Sequence, residues 1–260
     1  MNLKQAYQRF RDWQRNPVQY KTTDLQTHQC AGCGYTYEGK YCPICGQSHD
    51  VGKVNWRTIR EELTSIFGID SNQSTLMFVI QLFIRPGHMI SDYINGRRKI
   101  CCNPVGMLGV LAVLAALVNA ISPNPRADWV VPMSESEGLV GTVLSWLADH
   151  LNWAVLIQTI LIVLPTWLFF RKSPRNPRHT LPQGIFIQVF MGSLVLICIT
   201  LRNLLGDWVL SLVPLFYYIA YRQLFGYGIW GTCWRTFLSL GSVLLLFGGL
   251  MMAGMYCTVA

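Results

Sequence analysis

The chain divides into a polar first part and a largely apolar remainder. Apolar stretches of membrane-spanning length recur after residue 103, at 104–121, 153–170, 184–201, 204–221 and 236–257. A helix needs roughly 17–25 such residues to cross about 30 Å of hydrocarbon, and it satisfies its own backbone hydrogen bonds there. The pattern therefore predicts a mainly α fold, in which residues 104–260 form a polytopic bundle of about five transmembrane helices.

The residues before the bundle show shorter amphipathic patterns. Apolar positions at helical spacing, with cations between them, predict an amphipathic helix within 1–27, which would lie either on the membrane surface or on the protein's own core. Residues 51–103 carry further amphipathic segments around an apolar stretch at 74–84. As a helix of about 16 Å, that stretch is too short to cross. We expect interfacial helices with a half-membrane segment, re-entrant or lying at the interface, which ends at Arg85-Pro86-Gly87.

Residues 28–50, "HQCAGCGYTYEGKYCPICGQSHD", contain two Cys-x-x-Cys pairs, Cys30/Cys33 and Cys42/Cys45. Two such pairs supply the four thiolates of a closed tetrahedral zinc site, and the glycine after each second cysteine favours the turn that this requires. The sequence predicts a zinc ribbon with Zn²⁺ as cofactor and a short β-hairpin between the two knuckles. Because no coordination position stays open, the metal should be structural. The flanking His28 and His49 could substitute as ligands, although such neighbours are more often surface histidines.

Charge places the segments relative to the membrane. Only 13% of the residues are charged, and the mean hydropathy is +0.31. The 122–152 loop has a balance of −3, whereas 171–182 has +4, and the first 30 residues contain no apolar run. Since basic loops stay inside, we expect a cytoplasmic N-terminus and a periplasmic C-terminus. The zinc ribbon at 28–50, which we call the head, would then lie in the reducing cytoplasm, where zinc rather than disulfides would hold the cysteines.

Basic and polar residues near the membrane suggest contacts of two kinds. Cations flanking the spans make lipid headgroups better partners than nucleic acid, which we do not expect. Most cations fall on the predicted inside loops. Arg202 is the exception, because it lies in the short link that is predicted to be outside. Asp207, about one turn away, is its expected partner. Gln158 and Gln188 are expected to hydrogen-bond between helices. The predicted surface for lipid headgroups or a protein partner comprises Arg85, Arg97, Arg98 and Lys99.

Two segments together resemble a known group of proteins. "CAGCGYTYEGKYCPICGQ" followed by "RPGHMISDYINGRRKICCNPVG" is similar to bacterial inner-membrane proteins of unknown function that pair an N-terminal zinc ribbon with several spanning helices. The resemblance covers about residues 28–106. It implies a bacterial inner-membrane setting and a zinc-bound cytosolic head, and it implies no activity.

Three functions remain open at this stage. The preferred one is a non-enzymatic scaffold or regulator, whose head and surface helices bind a partner or lipid. A transporter or channel subunit, which could line a path as a homo-oligomer, is the first alternative, but few polar groups occur within the spans. A membrane enzyme acting on lipids is the second; it would use a pair such as His88 and Asp92, which share a helix face. The sequence contains none of the common hydrolase or phosphate-binding motifs, so we predict no catalytic residue and no organic cofactor site.

Overall fold

A computed structural model of the chain describes residues 8, 26–64, 74–98, 103–121, 142–143, 146–147, 150–177 and 179–259. The chain forms two compact units, Met1–Val51 and Gly52–Ala260. The predicted N-terminal helix, Lys99 and most of the 122–152 loop lie outside the described residues.

The first unit is a small β structure around the cysteines. Strand β1 (Thr27–Gln29) pairs antiparallel with β2 (Thr36–Glu38), and an isolated bridge joins Tyr41 to Ser48. The predicted hairpin is therefore present, but its predicted place between the knuckles was wrong. The hairpin encloses the first knuckle, because the strand that precedes Cys30 supplies the partner for residues 36–38.

The second unit begins with three short helices, α1 (Trp56–Thr64), α2 (Ser74–Ile84) and α3 (Pro86–Ile94). The α2 helix has the eleven residues expected of the half-membrane segment. Helix α3 begins at a proline, which suits a first helical turn because no N–H is needed there. Six of its nine residues are buried, and its partner is a later helix of the bundle.

Four helical segments are long and apolar enough to cross a membrane among the described residues. They are α4 (Pro104–Ile121), the consecutive α5 (Leu151–Leu161) and α6 (Val163–Phe170), α7 (Leu181–Leu205) and the first part of α9 (Ile229–Val259). Helix α7 is the central one, because 78% of the residues in its most apolar stretch are buried. The fold class of a mainly α-helical membrane bundle with a small N-terminal hairpin is thus confirmed.

The segment predicted as the fourth span, 204–221, is not a continuous helix. Gly206, at φ 96°, ends α7; a 3-10 helix (Asp207–Leu212) follows, and then α8 (Val213–Phe225). Pro214 explains the second change, since it cannot donate a hydrogen bond to the carbonyl four residues before it. Pro165 acts similarly at the junction of α5 and α6. The sequence pattern showed the apolar content of 204–221 and missed the break at Gly206 and the 3-10 segment after it.

Contacts along α7 define two ends of the bundle. At one end, Arg202 lies 3.4 Å from the Asn119 side chain of α4 and 3.6 Å from the Asp207 carboxylate, as predicted for the Arg202–Asp207 pair. At the other end, the His179 ring lies 5.2 Å from the Phe225 ring at the end of α8. The 3-10 helix and α8 therefore return together along α7. We call the end with residues 171–180 and 222–235 the basic end.

A hydrogen-bonded polar cluster in the bundle core joins four helices. The Gln188 amide nitrogen donates to the hydroxyls of Thr166 and Tyr221, each at 3.0 Å. Thr166 is also 2.9 Å from the Ser239 hydroxyl on α9. All four side chains are fully buried. The interhelical hydrogen bonds predicted for Gln188 are confirmed.

Candidate metal centre

The two knuckles of the head have the same backbone geometry. In each, the N–H of the first cysteine donates to the carbonyl five residues later, Tyr35 or Gln47, at 2.9 and 2.8 Å. The N–H of the following glycine donates back to the first cysteine's carbonyl, at 2.9 Å for Gly34 and 2.8 Å for Gly46. These glycines have φ values of 78° and 70°, the left-handed region that favours glycine. The glycine spacing therefore has the structural role that the sequence predicted.

The four sulfurs converge on one point between the knuckles. All four Sγ atoms lie within 4.8 Å of one another. The closest pairs are formed across the knuckles, Cys30 with Cys45 at 3.4 Å and Cys33 with Cys42 at 3.5 Å. Thiolates around a tetrahedral ion at metal–sulfur distances of ~2.3 Å lie about 3.8 Å apart. None of the four forms a disulfide, so the donor set fits a single metal ion held by four protein ligands.

The sulfurs differ in how readily they lose a proton. Burial opposes ionisation of Cys30, but backbone N–H groups of the knuckle and the Cys45 thiol lower its pKa to about 6. Burial raises the pKa of Cys45 to about 12, and the neighbouring sulfurs add to that rise. Burial also contributes to the raised pKa of Tyr37, beside the sulfurs, with the negative charge of Cys30 adding to it. Without a cation, four thiolates cannot coexist at this spacing. A bound metal ion supplies the missing positive charge.

The head has very little core apart from the cysteines. Among its described residues, the buried side chains are Cys30, Tyr37, Cys42 and Gln47. The Tyr37 hydroxyl points to the Gln47 carbonyl, 3.5 Å away. Gly32 faces the side chain of Gln47, since a Cβ added to the glycine would lie 2.6 Å from the Gln47 Oε1. One large buried ring does not offset the entropy of ordering this segment, and a metal ion bound by the four cysteines would supply the missing stabilisation.

Three large side chains near the knuckles remain exposed. Tyr35 is 48% exposed, Tyr41 60% and Ile44, between Cys42 and Cys45, 67%. Sequence reasoning treated the tyrosines as part of a hairpin and gave Ile44 no role. The available signal was the occurrence of Tyr and Ile at turn positions, where polar residues are usual. Each of the three therefore presents apolar atoms to solvent close in the chain to a cysteine ligand.

The flanking histidines contact each other instead of joining the metal group. The rings of His28 and His49 stack at 4.3 Å, and the His49 Nε2 lies 2.8 Å from the Asp50 carboxylate. The group of potential metal ligands in the described part of the chain contains only the four cysteines. This is the arrangement expected of neighbouring surface histidines.

The predicted cationic surface near α3 has partners within the protein. Arg85 and Arg97 both lie near the Asp92 carboxylate, at 3.3 and 3.5 Å. Arg98 donates to the Gly52 carbonyl at 3.0 Å and lies 5.5 Å from the centre of the Tyr93 ring. Their role in binding lipid or a partner stays a prediction, as does that of Lys99.

The residues considered for lipid chemistry are not placed as a pair. His88 is exposed, and Asp92 is shared between the two arginines rather than oriented against an imidazole. Gly87 has a clear structural role that the sequence only suggested as a chain break. Its N–H donates to the Gln223 side chain at 3.0 Å, and an added Cβ would lie 2.3 Å from the Ala220 carbonyl oxygen. Helix α3 therefore packs closely against α8.

Comparison with known proteins is informative over a short part of the chain. No curated protein and no solved structure matches the chain at a significant level. One family model matches, over residues 79–116, and that family is described as "Protein of unknown function (DUF3667)". The matched residues run from α2 through α3 into α4, and they do not include the four cysteines. The chain is thus similar, over α3 and its neighbours, to a family to which no function is attached.

Proposed function

We propose that this is a zinc-binding protein of the bacterial inner membrane that acts as a non-enzymatic scaffold or regulator. Its zinc head would bind a protein partner, and its helical bundle would be the anchor. One observation carries the proposal: a unit whose four cysteines converge on one point exposes three large side chains close to them in the chain, Tyr35, Tyr41 and Ile44. A contiguous patch of exposed apolar side chains marks a site for a protein partner, and we propose that these three form one.

Zinc is the metal that this donor set favours. Four soft thiolates in a tetrahedral arrangement select zinc or an iron–sulfur centre, and the Cys-x-x-Cys spacing is typical of zinc knuckles. A catalytic zinc would keep a position for water or substrate. Because the four sulfurs here occupy all tetrahedral positions, the ion has a structural role.

The proposed setting is cytoplasmic for the head and for the basic end of the bundle. Cations are concentrated in 171–178 and 222–235, and cytoplasmic loops of membrane proteins carry this excess. Four uncrosslinked thiols also suit a reducing compartment. With five passes along the bundle, the C-terminus would then lie on the periplasmic side.

Site-specific crosslinking tests the proposed partner surface. A photoreactive amino acid at Tyr41, in the full-length protein in native membranes, should give a discrete crosslinked product. The double substitution Tyr41→Asp/Ile44→Asp should abolish partner binding, as measured by isolation in mild detergent, while leaving the metal content at one zinc per chain.

The exposed Thr27→Asp substitution on β1 provides a matched control, because it adds charge to the same unit away from the two knuckles. We expect it to preserve the crosslinked product and the recovered partner. Equal recovery with wild type and with Tyr41→Asp/Ile44→Asp would contradict the proposal. So would partner binding that survives removal of zinc and unfolding of the head.

A further inference from the structure

The segments 171–178 and 222–235, at the basic end of the bundle, carry cations and no acidic residue. We call five of them the basic rim: Arg171, Lys172, Arg175, Arg222 and Arg235. The first four are exposed and Arg235 is half-buried. The sequence contains no Asp or Glu at 150–206 or 208–260, and Asp207 lies at the opposite end, beside Arg202. The segments that form the rim therefore supply no counter-charge of their own.

The rim is held in place by hydrogen bonds between its two loops. The Tyr227 hydroxyl donates to the Lys172 carbonyl at 2.8 Å. The backbone N–H of Arg175 donates to the Phe225 carbonyl at 3.2 Å, and the Asn176 amide donates to the Leu224 carbonyl at 3.0 Å. The last two bonds satisfy carbonyls at the C-terminal end of α8, which have no partners inside the helix. The loop after α6 is thereby fixed against the turn before α9.

The rim guanidinium groups contact carbonyl oxygens and aromatic rings. Arg235 lies 4.0 Å from the centre of the Tyr227 ring and 4.4 Å from that of Trp234. Arg171 lies 4.9 Å from the centre of the Trp167 ring, and Arg175 donates to the Gln223 carbonyl. Cation–π contacts and carbonyl bonds orient a guanidinium and leave its charge in place. By contrast, Arg85 and Arg97 near α3 share the Asp92 carboxylate.

Exposed aromatic residues begin α9 beside these cations. Trp230 is 85% exposed, and Trp234 and Ile229 are also exposed. Tryptophans at the end of a membrane-spanning helix lie at the level of the lipid headgroups. The neighbouring cations of the rim are then at the depth of the lipid phosphates, so charge and position select the same kind of ligand.

We infer that the basic rim is a binding site for anionic phospholipid, the phosphodiester being recognised by Arg171, Lys172, Arg175, Arg222 and Arg235. Lipid recognition is thereby assigned to the loop after α6 and the turn before α9, rather than to the predicted surface around α3. The inference is independent of the metal head and of its proposed partner.

Titration of the purified full-length protein with phosphatidylglycerol in non-ionic detergent micelles tests this assignment. Phosphatidylglycerol should raise the melting temperature of the bundle, whereas phosphatidylcholine and inorganic phosphate at the same concentration should not. Each cation near an anionic surface contributes about fivefold to affinity, so Arg171→Gln/Lys172→Gln/Arg222→Gln should weaken the apparent affinity roughly 100-fold. Arg175 and Arg235 are left unchanged because they also hold the two loops.

The charge-matched control is Lys53→Gln/Arg57→Gln/Arg60→Gln, which removes three exposed cations at and before α1. It should retain the wild-type response, and both triple variants should keep the wild-type helical circular dichroism. An equal loss in the two variants would overturn the assignment in favour of unspecific charge. An equal response to phosphatidylcholine, or to free phosphate, would also overturn it. A rim variant with unchanged affinity would do the same.

Discussion

The head and the bundle reach stability by opposite means. The head has one large buried side chain, Tyr37, and four sulfurs converging on a point, whereas the bundle buries most of α7 among apolar side chains. The head should therefore depend on an ion and on the thiolate state of its cysteines. The stability of the bundle should depend on how well its apolar side chains pack, on close contacts at glycines and on its few buried polar groups. The two units should respond to different perturbations.

The largest expected effect is loss of the head when one ligand is removed. Structural zinc sites in small peptides contribute about 10–16 kcal/mol, comparable to the entire stability of a typical domain. Cys42→Ser should therefore abolish metal binding and expose residues 26–51 to protease. The melting temperature of the bundle should not change. Protease mapping with metal analysis measures both.

Cys233→Ser is the matched control for that substitution, because Cys233 is a free, exposed cysteine on α9. It should keep full metal content and the wild-type protease pattern. A bundle that melts earlier after loss of the metal would show that the two units are not energetically separate.

A second prediction concerns the closest packing in the bundle. In Gly87→Ala, the added Cβ would meet the backbone of α8, which cannot move aside as a flexible side chain can. Overpacking of this kind costs about 1–3 kcal/mol. The melting temperature of the bundle should fall while the metal content of the head stays the same. Gly109→Ala is the control, since nothing lies within 4 Å of its added Cβ. Equal melting temperatures for the two variants would argue against the α3–α8 contact.

Acid should destabilise the bundle through His179. Burial lowers the pKa of His179 to about 4, and neither ring nitrogen has a hydrogen-bond partner among the described residues. An unfolded chain binds this proton near pH 6.5. The contribution of the neutral imidazole to the free energy of unfolding is therefore fully present above about pH 6.5, and it is lost as the pH falls toward 4.

Comparison with His179→Leu isolates this contribution. The variant lacks the titrating group, so its melting temperature should fall less steeply than that of the wild type between pH 6.5 and 4.5. Melting is followed by the fluorescence of the bundle tryptophans, which separates it from acid release of metal by the head. Parallel pH profiles for the two proteins would exclude His179 as the source.

The smallest effect is expected at the polar cluster of the core. Gln188→Leu removes hydrogen bonds to Thr166 and Tyr221, and it also removes an amide oxygen that has no partner among the described residues. Hydrogen bonds between membrane helices average about 0.6 kcal/mol, so the cost should stay below about 1.5 kcal/mol. Ser193→Ala is the control, because its hydroxyl bonds within α7. A loss as large as that of Gly87→Ala would mean that polar contacts, rather than packing, dominate this core.

The features that could be predicted from sequence are those set by local chemistry. The spacing of Cys30, Cys33, Cys42 and Cys45 predicted one four-ligand cluster, because two tight turns bring such thiols together. The long apolar runs predicted the helical bundle, and the offset between Arg202 and Asp207 predicted their pairing. Each of these inferences needs only residues that are close in the chain.

The features that were missed depend on strand register, on backbone conformation or on partners that are distant in the chain. Strand β1, before Cys30, pairs with β2 on the other side of the first knuckle. The sequence around Tyr37 does not show which segment β2 will pair with. The break at Gly206 depends on a positive φ, and a glycine between two apolar segments does not by itself require one. The role of Gly87 depends on the approach of α8, more than 130 residues later. Sequence predicted interhelical hydrogen bonds for Gln188 but not their partners, Thr166 and Tyr221, because these depend on how separate helices assemble.

Metal and thiol analysis of the full-length protein, purified without oxygen or added metal, tests the central claim most directly. The account predicts about one zinc per chain, with Cys30, Cys33, Cys42 and Cys45 protected from alkylation until a chelator is added. A zinc content far below one per chain, with these four cysteines alkylated as fast as an ordinary exposed thiol or joined as disulfides, would contradict it.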